Sequence, residues 1–154
     1  MSENFRIAVV DAENADAMAQ IASMDAELRE TAWSASSWSA TLSGSSAALI
    51  AYLGEQPVAF ACFAAVIEQG ELLMVGVLPS ARRRGIAHQL LVEGEAQLRW
   101  LGATTIHLEV ASQNDAAIAL YERLGYTKRG LRRAYYADGD DAVLMARDFA
   151  VCAG

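Results

Sequence analysis

The residues best placed to hold an anion lie in the stretch Glu71 to Leu101, ELLMVGVLPSARRRGIAHQLLVEGEAQLRWL. Glu71 to Val77 is an apolar run with the length of a buried strand. Leu78-Pro79-Ser80 breaks it, because proline cannot donate to a ladder. Arg82, Arg83, Arg84, Gly85, Ile86, Ala87 and His88 follow, and a helical pattern opens at about Ile86. A glycine between strand and helix lets backbone N–H groups turn toward a ligand, and the helix start adds partial positive charge. Three arginines raise the local potential further. The loop has neither the Gly-Lys-Ser/Thr ending of a triphosphate loop nor the G-x-G-x-x-G dinucleotide pattern. Two other groups could do chemistry. Glu109, between Leu108 and Val110, is either a satisfied strand-edge residue or a general base. Tyr121 shares an apolar helix face with Ala117, Ile118 and Leu124, and taken alone it reads as core.

Two spacings change that second reading. Arg82-x-x-Gly85-x-Ala87 after an apolar strand resembles the Q/R-x-x-G-x-G/A signature of the GNAT acyltransferases. Asn114-x-x-Ala117-Ile118-x-Leu120-Tyr121-x-x-Leu124-Gly125-Tyr126 is similar to the second acetyl-CoA segment of the same family. The resemblance implies acetyl-CoA as co-substrate, with its pyrophosphate on the Arg82–His88 loop and Asn114 in contact with it. His88 could touch a phosphate or a ribose. Backbone N–H groups of Val75, Gly76 and Val77 would face the thioester carbonyl. Glu109 would be the base, and Tyr121, near the sulfur, the acid. No metal is implied.

A third stretch bears on the acceptor. Arg132 to Met145, RRAYYADGDDAVLM, resembles the C-terminal hairpin of the RimI-type N-α-acetyltransferases within that family. There the pattern runs R-x-Y-Y-x-x-D-G-x-D-A-x-x-M. The resemblance implies a peptide entrance between this hairpin and the joint of the first two helices, with Trp33, Tyr135 and Tyr136 around the first residues of the acceptor. Ala32 stands where that group usually carries proline, so the joint lacks that source of stiffness. The implied reaction is direct attack, in a ternary complex, by the α-amine of a protein N-terminus, the N-terminal alanine of ribosomal protein S-eighteen being the acceptor of RimI enzymes. Two alternatives stay open: a small amine as acceptor, or a non-catalytic acyl-CoA-binding module.

Such a transfer needs a neutral amine, a polarised carbonyl, a proton acceptor and a stabilised leaving thiolate. A carboxylate of ordinary pKa, about 4.3, is poorly matched to an α-ammonium near 8. Partial burial or a relaying water would bridge the gap. A phenol near 10 protonating a thiolate whose acid lies near 8.5 is mildly uphill. Hydrogen bonding to the developing charge is therefore expected to matter as much as full proton transfer.

The composition agrees with this reading. The 154 residues suit one domain, 1–154, with a sizeable core. Hydrophobic residues make up 54% and charged residues 20%, as in a globular protein. No apolar run approaches the roughly 20 residues of a membrane helix, and no signal peptide is expected. Cys62 and Cys152 have no metal-like spacing, which fits a reducing cytoplasm. The net charge of −7 is uneven: residues 1–80 hold ten acidic and two basic side chains. That argues against nucleic acid as a partner, and the acidic half either favours a cationic partner, such as an amine or a basic peptide, or merely confers solubility. The sequence carries no signature of oligomeric state.

The elements that must position these residues read in order as follows. A strand over Phe5–Val10 precedes a helix over Ala15–Met24, a polar joint, and a short helix capped by Ser34 or Ser36. Ala47–Leu53 and Val58–Val66 form a hairpin. A turn near Gln69-Gly70 leads into the Glu71 strand and then the central helix, where Gly94 suggests close packing. Ala103–Val110 completes a βαβ unit. Asn114 caps a helix that Gly125 ends, and two strands, Tyr126–Leu131 and Asp141–Phe149, close the chain. The expectation is an α+β GNAT fold with a mixed, mostly antiparallel sheet and helices on both faces.

Overall fold

Successive side chains of a strand point to opposite faces, and along the central strands this alternation divides the core in two. The computed structural model describes residues 4–149, so Cys152 lies outside the described residues. The strands are β1 (Arg6–Val10), β2 (Ser46–Leu53), β3 (Gln56–Val66), β4 (Gln69–Val77), β5 (Thr105–Ala111), β6 (Thr127–Arg132) and β7 (Ala142–Asp148). The helices are α1 (Ala15–Leu28), α2 (Ala35–Thr41), α3 (Ile86–Trp100) and α4 (Asp115–Arg123). One seven-stranded sheet runs in the order β1-β2-β3-β4-β5-β7-β6. Leu49, Ala61 and Phe63 pack with Leu90 and Leu91 of α3 and Ile118 of α4. Their neighbours Ile50, Phe60 and Cys62 pack on the other face with Met18 and Ile21 of α1 and Trp38 of α2. This is the expected α+β architecture with helices on both faces. No helix among the described residues is long and apolar enough to cross a membrane.

The pairing of β4 with β5 positions the functional site. Among the described residues it is the one parallel pair, and its ladder covers only Gln69–Glu71 against Thr105–His107. Beyond those residues β4 stays paired with β3 as far as Val77, and β5 stays paired with β7 as far as Ala111. The two strands therefore part, and the facing edge of β4 from Leu72 onward has no ladder partner in β5. Open backbone groups inside a sheet are rare, because each is costly unless a ligand or water meets it.

Three glycines explain close approaches here. A Cβ on Gly94 would stand 2.0 Å from Phe63 Cε1, so glycine lets α3 lie directly on β3, as the sequence suggests. A Cβ on Gly76 would stand 2.6 Å from Leu28 Cδ1, so the end of α1 sits on β4 beside the gap. Gly70 is different. The sequence places a turn near Gln69-Gly70, but both residues are in β4, and Ile67-Glu68 form the tip. A Cβ on Gly70 would meet Leu98 Cδ1 at 2.9 Å and Thr105 O at 3.3 Å. This glycine serves packing, and the left-handed conformation falls on Ile67, at φ 57°. The first helix also runs four residues past the expected Met24, because Asp25 and Arg29 pair across its last turn.

Candidate active site

The gap between β4 and β5 opens into a cleft of about 710 Å³. Leu72–Val77 of β4, Glu109–Ala111 of β5, Asn114 at the cap of α4 and Ala116, Ala117, Leu120 and Tyr121 of α4 line it, with Arg82 and Ala87 from the arginine loop. Leu28, Arg29 and Tyr136 complete it. The expected Val75, Gly76, Val77, Arg82, Ala87, Glu109, Asn114, Tyr121 and Tyr136 thus meet in one cavity.

The arginine loop has the shape of an anion cradle. Arg83 and Gly85 take left-handed conformations, φ 67° and 78°, which turns successive N–H groups toward one side. Gly85 is the N-cap of α3 and no side chain caps that start, so the first-turn N–H groups are available to a ligand. Arg82 Nε donates to Val77 O at 3.1 Å and fixes the loop to the end of β4. Arg83, Arg84 and His88 are exposed beside the loop and do not line the cleft. Ile86 is buried in the core, so only its main chain can face a ligand. Asn114 Oδ1 accepts from Ala117 N at 3.2 Å, capping α4 at the cleft edge. A phosphorylated, elongated co-substrate fits this donor set: main-chain N–H groups at one end and an unpaired strand edge at the other.

The two candidate catalytic groups differ in environment. The Glu109 side chain is 30% exposed, and Arg132 Nη1 stands 3.5 Å from its Oε1. The side chain is therefore partly buried, and solvent still reaches the carboxylate, which suits a relaying water. Tyr121 is buried, and its ring lies 5.8 Å from that of Tyr126. Burial, then the neighbouring Tyr136, pushes its phenol up to about 12. Burial and the nearby Glu109 carboxylate push the Tyr136 phenol upward as well.

Sequence reading missed what holds the remaining wall. Asp25 is fully buried. It accepts from Arg29 Nε at 2.6 Å, Arg29 Nη2 at 2.8 Å, Trp33 N at 3.0 Å and Trp38 Nε1 at 3.1 Å. Burial pushes its carboxyl up, but Arg29 and the two tryptophan N–H groups outweigh this and hold it below the ordinary 3.8. The Trp33 and Trp38 rings sit 4.6 Å apart. This clamp ties the α1–α2 joint, residues 29–34, to the end of α1. Across the cleft, Asp140 accepts from Ser112 Oγ at 2.5 Å, tying the β6–β7 hairpin to the loop before α4. Trp33 and Tyr135 are partly exposed and stand outside the cleft lining, whereas Tyr136 is in it. Below the site, Glu95 of α3 accepts from Tyr126 Oη at 2.6 Å and Arg147 Nη1 at 2.8 Å, locking α3 to β7. The spacing of Asp25 and Arg29, four residues apart on a helix, was the one sequence signal for the clamp.

The chain is similar to known proteins. The model of the acetyltransferase (GNAT) family matches residues 10–126. An N-alpha-acetyltransferase of Saccharolobus solfataricus is 43% identical over 86 residues, 53% of this chain and 50% of that protein. The ribosomal protein bS18-alanine N-acetyltransferase of Salmonella typhimurium is 40% identical over 95 residues, 60% of this chain and 64% of that one. The chain thus spans between half and just under two thirds of these relatives' lengths. The crystal structure of the ribosomal-protein-S18-alanine N-acetyltransferase from Escherichia coli superimposes with a TM-score of 0.83 at 27% identity, covering 97% of both chains. With its family model matched over most of the chain, its β4–β5 gap and its arginine loop, this chain belongs to the acetyltransferase (GNAT) family.

Proposed function

We propose that the chain transfers an acetyl group from acetyl-CoA to the α-amine of a protein N-terminus, the N-terminal alanine of ribosomal protein bS18 being the leading acceptor. The observation that carries this is the cleft itself, where Glu109, Tyr121 and the hairpin residue Tyr136 converge opposite the free edge of β4. The relatives named as N-alpha-acetyltransferases support the same reading. Acetyl-CoA supplies an acyl group activated as a thioester. The arginine loop and the start of α3 hold its pyrophosphate, with Asn114 at the cleft edge. N–H groups on the free edge of β4 donate to the carbonyl oxygen and stabilise the charge that develops there. Glu109 accepts the proton of the attacking amine through a water as the new C–N bond forms. As the C–S bond breaks, Tyr121 donates a hydrogen bond to the departing sulfur. Full transfer from a phenol at about 12 to a thiolate whose acid lies near 8.5 would cost roughly 5 kcal/mol. Tyr121 therefore acts first as a donor, and the thiolate takes its proton finally from solvent. A basic peptide suits the acidic N-terminal half, and we infer a cytoplasmic setting for the reaction.

The test is mass spectrometry of acetyl transfer from acetyl-CoA to three competing acceptors. They are an Ala-initiated basic peptide, the same peptide blocked at its N-terminus, and spermidine. Acetylation of the free N-terminus alone is expected. Acetylation of spermidine alone would replace the acceptor class and keep the chemistry. Tight acetyl-CoA binding without transfer to any amine would point to a binding module.

A further inference from the structure

Arg132 is a basic side chain paired with the candidate base. It comes from the end of β6, where it lies opposite Ala142, and Ala142 lies opposite Ala111 of β5. In the register, Leu144 pairs with Glu109 two residues away on β7. Arg132 and Glu109 therefore project from the same face of the sheet, across one intervening strand. The Nη1–Oε1 distance is 3.5 Å, and the guanidinium carbon also lies 5.4 Å from the centroid of the Tyr135 ring. The Arg132 side chain is 55% exposed, so the pair contributes little to folding. An exposed ion pair at the mouth of a reactive cleft has its main consequence in where the carboxylate points.

We propose that Arg132 is a positioning residue that holds the Glu109 carboxylate turned into the cleft. The Tyr135 ring holds the guanidinium in turn, through its π face. When the acceptor ammonium arrives it meets a carboxylate already oriented, and at 3.5 Å the arginine contact is loose enough to yield to it. The cation thus pre-organises the base without occupying it permanently. This inference rests on Glu109 being the base in the proposed function.

The experiment is a double-mutant cycle of Arg132→Gln and Glu109→Gln, read as kcat and acceptor KM with the acceptor that the wild-type chain acetylates. Arg132→Gln is expected to lower kcat about tenfold with acceptor KM within about twofold. Arg132→Lys should restore most of the loss, because an ammonium can still face the carboxylate. In the Glu109→Gln background, adding Arg132→Gln should change kcat by less than about twofold. Melting temperature should be unchanged in both single variants at position 132. An unchanged kcat in Arg132→Gln, a loss confined to KM, or an equal loss in the Glu109→Gln background would overturn the proposal. Failure of the proposed function itself shows separately, as a wild-type chain that acetylates no N-terminus. The cycle can still be run on any other amine it accepts, and a chain that acetylates no amine removes Glu109's role and this proposal together.

Discussion

The two walls of the cleft are built in different ways. The wall made by β4, the arginine loop and α4 relies on main chain and on neighbours in sequence. Gly85 makes a left-handed turn, α3 starts uncapped, and Asn114 caps a donor three residues away. The wall made by the α1–α2 joint and the β6–β7 hairpin relies on carboxylates that draw distant segments together. Asp25 reaches Trp38, thirteen residues on, and Asp140 reaches Ser112, 28 residues away. A main-chain wall is indifferent to most side-chain changes. A wall held by a few carboxylates can be reshaped by one substitution. In the proposed function the first wall would hold acetyl-CoA and the second the acceptor.

The largest effect is expected at the seam between the walls. Glu109→Gln should lower kcat by about 10²- to 10³-fold, while acetyl-CoA affinity by calorimetry stays within about twofold. Tyr121→Phe should cost somewhat less, since a hydrogen bond rather than a full proton transfer is lost. A parallel loss of acetyl-CoA affinity would dissolve the division between the walls.

Asp25 tests the acceptor wall directly. Asp25→Ala leaves the Trp38 indole N–H buried without its acceptor and Arg29 without its partner. A loss of roughly 3 kcal/mol in denaturant unfolding is expected. Below the temperature at which the variant unfolds, acceptor KM should rise and acetyl-CoA affinity should hold. The pH dependence has a definite sign. The folded chain holds this carboxyl below its ordinary 3.8. Its stabilisation is therefore complete above the unfolded value and fades as pH falls through the lower folded value. Asp25→Asn, which cannot titrate, should lose less stability than the wild type between about pH 4 and pH 2. Gly94→Ala is the control. Its methyl would collide with Phe63 and should cost about 2 kcal/mol, with no preference for either substrate's binding.

The same contrast explains how much of the molecule could be read from the sequence. The arginine loop, the Asn114 cap and the Gly125 stop are local, so residue type and spacing reveal them. Element order follows from periodicity, and all seven strands and four helices fall in the expected order. Beyond the local Asp25–Arg29 spacing, the Asp25 clamp and the Asp140 tie depend on which segments fold beside each other, and no local pattern encodes that. Arg132's contact with Glu109 is hidden for the same reason, because a third strand lies between them. Gly70 shows the opposite error. A glycine near a chain reversal reads as the turn, yet here it admits the Leu98 side chain and the Thr105 carbonyl.

The smallest expected effect decides where one wall ends. Asp140 is half-buried, and the Ser112 hydroxyl, with the N–H groups of Gln113 and Asp141, holds its carboxyl below the ordinary value. Its main-chain oxygen accepts from Tyr136 N at 3.1 Å, so it also fixes the one hairpin tyrosine in the cleft. Asp140→Asn keeps the shape but loses the charge and one acceptor oxygen. Acceptor KM should rise about threefold with kcat nearly unchanged, the pattern of lost uniform binding. Ser112 and Gln113 immediately precede Asn114, the cap of α4 on the co-substrate wall. If acetyl-CoA affinity fell as much as acceptor affinity, the hairpin would be bracing both walls through that loop. If acetyl-CoA affinity held, the Asn114 cap would be self-sufficient, and the boundary between the walls would lie between Gln113 and Asn114.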